Sequence, residues 1–216
     1  TFDMNVVSYF ELLRLPYTGC NPRGLLLSRD KALSKKLLAY HRIPTPDFAV
    51  ITRGRGIRLA HRIRFPVIVK STTEQASSGI AQASVIDDET RLRERVQFIH
   101  ESVGTDALIE SYIEGRELYV GVIGNERLVV LPVWEMDFTH MPGGLHRIAT
   151  SRVKRNIRYQ EKHGITTHHA RNLPVAKAQE IQRMSKRVYR ALGLSGYGRL
   201  DFRLDARGES YVLEAN

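Results

Sequence analysis

The chain has 216 residues, 33 Lys and Arg against 23 Asp and Glu for a formal net charge of +10, 42% apolar residues and one cysteine. That length and apolar content exclude disorder as the main state. A single thiol, Cys20, excludes an internal disulfide and a multi-cysteine zinc site and points to a reducing, cytoplasmic setting, and no apolar run nears the roughly 20 residues of a membrane span. The chain opens at Thr1 without an initiator Met and stops at Asn216 inside a strand-like run, so it reads as a piece of something longer.

In chain order, residues 28–42 predict an amphipathic helix with Ser28 as its cap, Leu33, Leu37 and Tyr40 on one face, and Pro44 as its stop. Phe65-Pro-Val-Ile-Val-Lys70 predicts a short buried strand that delivers a cation into the small, polar loop 71–83. Helical spacing returns over 89–102 (Leu92, Val96, Ile99), strands follow over 107–113, 117–124 and 127–136, and Gly124-Asn125 marks a turn. From about 138 to 173 periodicity vanishes, which predicts a long loop or flap. Pro174 opens a helix to about 192 that buries Val175, Ala178, Ile181, Met184 and Val188, and strands over 197–205 and 210–216 close the chain. The pattern is α+β with antiparallel sheets.

Positive charge is local. Arg53, Arg55, Arg58, Arg62 and Arg64 meet no acid, and seven cations between 147 and 171 meet only Glu161, while the rest of the chain is nearly neutral. Such clusters suit either a solvated face or a phosphate-bearing or acidic ligand. His163, His168 and His169 match no zinc spacing.

The last two strands are the most informative. Leu200, Phe202 and Leu204 alternate with Arg199, Asp201, Arg203 and Asp205, so one face is apolar and the other charged. A two-residue turn at Arg207-Gly208 sets Asp201 opposite Glu214 and Arg199 opposite Asn216. Facing carboxylates repel, so the arrangement either accepts a hard cation, magnesium or manganese, on Asp201, Glu214 and Asn216, or is a wet charged face. Lys70 before a Ser/Gly loop is similarly either a phosphate cradle or a turn.

Taken in order, Asp30-Lys31, Phe65 to Lys70, Ser77-Ser78-Gly79, Leu108-Ile-Glu-Ser-Tyr-Ile-Glu-Gly-Arg-Glu-Leu118, Gly198-Arg-Leu-Asp-Phe202 and Val212-Leu-Glu-Ala-Asn216 resemble an ATP-grasp ligase of the D-alanyl-D-alanine ligase group. The resemblance implies two α+β subdomains clamping ATP between antiparallel sheets: residues 1–27 ending an amino-terminal domain, 28–113 and 114–216 forming the clamp. It implies a carboxylate–amine ligase that uses ATP and magnesium or manganese to make a peptide-type bond through an acyl phosphate. By the same resemblance Lys31 and Lys70 contact the α and β phosphates, Ser77, Ser78 and Gly79 cover the triphosphate, and Glu110, Tyr112 and Ile113 hold adenine. Glu117 then binds ribose, Lys162 closes as the flap lysine, Arg199 stabilises the transition state, and Asp201, Glu214 and Asn216 hold metal. The implied partners are small amino acids or peptides, with neither nucleic acid nor membrane, and a homodimer is allowed for.

Two departures from the family pattern, Ala76 where it has a serine and His163 where it has a tyrosine, argue for a substrate other than a D-alanine pair. The flap cations suggest an acidic one. A contrasting reading is a non-catalytic ATP- or nucleic-acid-binding module, against which Arg199, Asp201, Glu214 and Asn216 occurring together argue.

Overall fold

The structure, a computed structural model, describes residues 3–59, 63–74 and 80–216. The apolar runs Val67–Val69 and Ala107–Ile109 are long enough only for strands, and they pair at the centre of a four-stranded antiparallel sheet in the order β1 (Phe48–Ile51), β4 (Ala107–Ser111), β2 (Val67–Ser71), β3 (Val85–Ile86). The alternating strands build a second antiparallel sheet in the order β10 (Ser210–Ala215), β9 (Tyr197–Leu204), β5 (Arg116–Ile123), β7 (Trp134–Asp137), β8 (Thr166–His169), with β6 (Val129–Val130) also on β5. The α-helices of the described residues are α1 (Asp3–Leu12), α2 (Pro22–Arg29), α3 (Lys31–Tyr40), α4 (Glu89–Phe98), α5 (Ser151–Arg155), α6 (Ile157–Lys162) and α7 (Val175–Ala191), with a 3-10 turn at Gln82–Ser84 and a π-helical turn at Ile99–Val103. None of these helices is long and apolar enough to cross a membrane.

Each sheet buries one face under one helix. Leu92 and Val96 of α4 cover Val67, Val69 and Ile109 of the first sheet. Ile181, Met184, Val188 and Tyr189 of α7 cover Leu118, Val120, Leu200, Phe202 and Val212 of the second. Full burial of each such side chain stabilises by about 1.5–3 kcal/mol. Period-two alternation then puts Lys70 of β2, Glu110 of β4, Glu117 of β5, and Asp201 and Arg203 of β9 on the opposite faces, which look at each other across a cleft.

Several expected elements differ. The single helix over 28–42 is two helices that break at Asp30, whose backbone is extended and whose side chain, not that of Ser28, caps α3 by accepting from the Leu33 N–H at 2.9 Å. The break occurs because the Lys31 N–H donates to the Thr72 carbonyl instead of continuing a helical ladder. The returning strand over 127–136 divides into β6 and β7 around Pro132, which has no N–H to give a sheet. Val175, expected in the core, is exposed at the first position of α7.

The region 138–173 is loop only in part, over 138–150 and at its end. Thr150 caps α5, Asn156 caps α6, and β8 pairs with β7. Phe138, Met141, Val153 and Ile165 form a small core of their own. Helices of five and six residues are too short to show a 3.6-residue period, which is why the pattern reads as irregular.

Where β4 leads into β5, Gly115 adopts φ +147°, and an added Cβ would lie 2.1 Å from the Leu204 carbonyl oxygen. Only glycine lets the chain cross from one sheet to the other this close to β9.

Candidate nucleotide and metal site

The cleft between the sheets is lined by Lys70 of β2, Glu110 of β4, Tyr112, Ile113, Glu117 of β5, Asp201 and Arg203 of β9, and Glu214 of β10, and roofed by Ile148, Ala149 and Lys154. Its free volume is about 60 Å³.

Asp201 and Glu214 are direct cross-strand partners, as the spacing predicted, but the turn that achieves it is different. Asp205 faces Glu209 across a three-residue loop, the strands pair one residue out of step with a two-residue turn up to Val212–Phe202, and a bulge at Leu213 restores the step. The bulge has a consequence for chemistry. Val212 points into the α7 core, and if Leu213 were paired as an ordinary strand residue Glu214 would follow it there; because Leu213 bulges out of the ladder, Glu214 turns to the cleft beside Asp201. Lys35 holds the bulge by donating to the Leu213 carbonyl at 3.2 Å.

Burial and the opposing Glu214 push Asp201 up to about 7 although Arg199 opposes them. Glu214 moves the other way: burial acts against its charge, but Lys31, Lys70, Lys154 and Arg199 overcome it. Arg199 grips Asp201 with a fork at 2.7 and 3.0 Å, lies over the Tyr119 ring at 5.1 Å, and Asn216 donates to Asp201 at 3.3 Å. Two facing carboxylates and an amide oxygen are a donor set that fits a hard divalent cation. Among the described residues no group of three or more His, Cys, Asp or Glu clusters for a metal, so any metal here rests on this pair plus Asn216.

Behind the acids lies a buried charge cluster that the sequence did not reveal. One carboxylate, Glu110, is clasped by Lys35 at 2.5 Å and Lys70 at 2.7 Å, with Lys35 and Glu110 both 1% exposed. Burial would raise the Glu110 pKa, but the two ammonium groups bring it down to about 2. Burial lowers the pKa of Lys35, whereas for Lys70 burial is outweighed by Glu110 and Glu214. Glu110 is therefore a neutralising anchor for Lys70 while it lines the cleft.

Lys31 is buried at the start of α3, donates to the Glu74 carbonyl, and feels Glu214 and Lys70; burial lowers its pKa. Tyr112 and Ile113 line the cleft, Tyr112 edge-on to His146. Glu117 reaches the cleft wall but has both oxygens engaged, one by Arg203 at 2.9 Å and the other by the Tyr119 hydroxyl at 2.8 Å. Ser77, Ser78 and Gly79 lie outside the described residues.

The flap expectation shifts. Lys162 sits exposed at the end of α6 and lines no cavity described here, whereas Lys154 of α5 lines the cleft and acts on both acids. The reason is the Thr150 cap, which turns α5 so that Val153 enters the small core and Lys154 faces β9. Arg203 was also missed as a site residue: buried, it donates to Gly115, Glu117 and the Arg147 carbonyl, and so ties the crossing point, the cleft wall and the flap. Its place on the charged face of β9 was the available signal. For Lys35 the signal was its position four residues after Lys31, on the same helix face.

Two antiparallel sheets close on a cleft of lysines and paired acids and so define a clamp. The family model of the D-ala D-ala ligase C-terminus matches residues 37–216, and the chain belongs to this family, with the ATP-grasp fold. It is 35% identical over 220 residues to a D-alanine–D-alanine ligase of Bordetella petrii, covering 99% of this chain and 62% of that protein. It is also 31% identical over 217 residues to the uncharacterized protein y4sG of Sinorhizobium fredii, covering 98% and 60%. Among solved structures, the D-alanine–D-alanine ligase of Bacillus anthracis complexed with ATP aligns with a TM-score of 0.76 at 23% identity, over 98% of this chain and 62% of that one. The D-Ala:D-Ser ligase VanG of Enterococcus faecalis aligns at 0.75 and 21%, over 99% and 59%. The chain thus spans about 60% of the length of these relatives.

Proposed function

We propose that this chain is the ATP- and metal-binding part of an ATP-dependent carboxylate–amine ligase. The observation that carries the reading is the Asp201–Glu214 pair, turned into the cleft by the Leu213 bulge and faced by Lys31, Lys70, Lys154 and Arg199. A surplus of cations around two acids is what a polyphosphate with its divalent ion requires. Asp201, Glu214 and Asn216 would hold magnesium or manganese, which supplies charge neutralisation of the phosphates.

In this reading Lys70, kept charged by Glu110, and Lys31 hold phosphate oxygens, and the loop with Ser77, Ser78 and Gly79 covers them. Tyr112 and Ile113 wall the adenine, and Glu117, oriented by Arg203 and Tyr119, takes ribose hydroxyls. The roof that carries Lys154 covers the bound nucleotide. A substrate carboxylate oxygen displaces ADP from the γ phosphorus, and an amine then displaces phosphate from the acyl carbon, giving an amide and releasing a proton. Arg199 leaves Asp201 for the charge that develops on the transferring phosphoryl group, and the closed roof keeps water from the acyl phosphate.

The test is ADP formation by the full-length protein with ATP, magnesium and a panel of amino acids. Amine-dependent ADP release is expected, lowered at least about hundredfold in Asp201→Asn. ATP binding without amine-dependent turnover for any acid–amine pair would refute the ligase reading.

A further inference from the structure

A second cavity, of about 550 Å³, opens on the same face of the second sheet. It lies within the range usual for small-molecule sites. Its floor is β5 and β7: Gly121 leaves the sheet bare, Leu131 folds over that gap, and Trp134 and Met136 stand beside it. Lys154 lines both cavities, and Arg199, which forks onto Asp201 of the first, lines the second. One end of the cavity therefore carries two cations next to the proposed phosphoryl-transfer point, and the other is mainly apolar, with Gln160 and Thr167 the polar side chains also in the lining.

The cations that first suggest an acidic substrate do not enter it. Of the seven between residues 147 and 171, Arg147, Arg152, Arg155, Arg158, Lys162 and Arg171 are exposed, and Lys154 alone lines this cavity. Trp134 is 47% exposed and Leu131 39%, so the apolar end has no cover among the described residues.

We infer that this cavity selects an amino acid or peptide with a bulky apolar side chain, its carboxylate facing Arg199 and Lys154 and its side chain lying on Trp134, Leu131 and Met136. The inference rests on the ligase reading for the neighbouring cleft. A methyl group would leave most of the apolar end wet, whereas an aromatic or branched aliphatic group removes it from water.

Full-length protein loaded with a non-hydrolysable ATP analogue and magnesium, then titrated calorimetrically with phenylalanine, leucine, alanine and phenylalaninamide, each amino acid in both enantiomers, tests it. Phenylalanine and leucine of one hand are expected to bind at least roughly tenfold more tightly than alanine, the factor for burying one large apolar side chain. Phenylalaninamide, without the carboxylate, loses at least roughly tenfold. Trp134→Ala and, separately, Leu131→Ala bring phenylalanine down towards alanine while binding of the analogue stays at the parent value, which also shows that the variants are folded. Equal affinity for alanine and phenylalanine, indifference to both substitutions, or no amino acid binding to the loaded protein overturns the inference. Failure of the ATP analogue itself to bind overturns instead the reading of the cleft.

Discussion

Glu110→Gln isolates the buried charge cluster. The substitution keeps shape but removes the one anion between Lys35 and Lys70, leaving two ammonium groups in a site where Lys35 is 1% exposed. Breaking a buried pair by removing one partner costs about 3–5 kcal/mol. In a domain of this size that corresponds to a Tm loss on the order of 10 °C. Lys35→Met is the control, because it leaves Glu110 neutralised by Lys70 and removes only one clasp and the donor to the Leu213 carbonyl, for a cost of about 1–2 kcal/mol. The pH dependence has a definite sign. The folded pKa of Glu110, about 2, lies below its ordinary 4.5, so its stabilisation is complete above about pH 4.5 and drains away as pH falls towards 2. The gap between parent and Glu110→Gln therefore narrows over that window. Urea denaturation at pH 7 and at about pH 3 reads both effects. A Glu110→Gln cost under about 1 kcal/mol at pH 7, or a Lys35→Met cost equal to it, would show that charge balance does not hold this cluster.

Other expectations follow from single contacts. Lys154→Ala weakens ATP binding or turnover by roughly tenfold or more, while Lys162→Ala stays within about twofold; the reverse order would restore Lys162 as the closing lysine. Deleting Leu213 removes the bulged residue but leaves Glu214 directly after Val212, still on the cleft face opposite Asp201, so magnesium-dependent ATP binding, followed calorimetrically, is retained; its loss would show that the bulge itself shapes the metal site. Gly115→Ala forces a Cβ against the Leu204 carbonyl and costs about 3 kcal/mol or more in thermal unfolding; a near-neutral result would mean that the crossing point relaxes freely.

Much of the site was legible because strands alternate. Once β9 and β10 are assigned, Arg199, Asp201 and Arg203 must share the face that Leu200, Phe202 and Leu204 leave free. The pairing of Asp201 with Glu214 was reached through the wrong turn: the loop is one residue longer than Arg207-Gly208 allows, and the bulge at Leu213 compensates. Bulges leave little trace in a single sequence, since any residue can be the extra one. Lys154 was overlooked because neighbouring cations at 152, 154, 155 and 158 look alike until a cap and a buried valine fix which one faces inward.

The sequence by itself determined the strands β2, β4, β5, β9 and β10, the helices α4 and α7 that cover them, and the charged face of β9, because these follow from local periodicity and from the cost of burying charge. Only the tertiary structure decided that Glu110 serves Lys35 and Lys70, that Lys154 is the inward lysine, and that an apolar cavity adjoins the acids. Those facts depend on which residues distant in the chain meet across the cleft, and contacts of that kind are set by packing and strand register, not by spacing along one element.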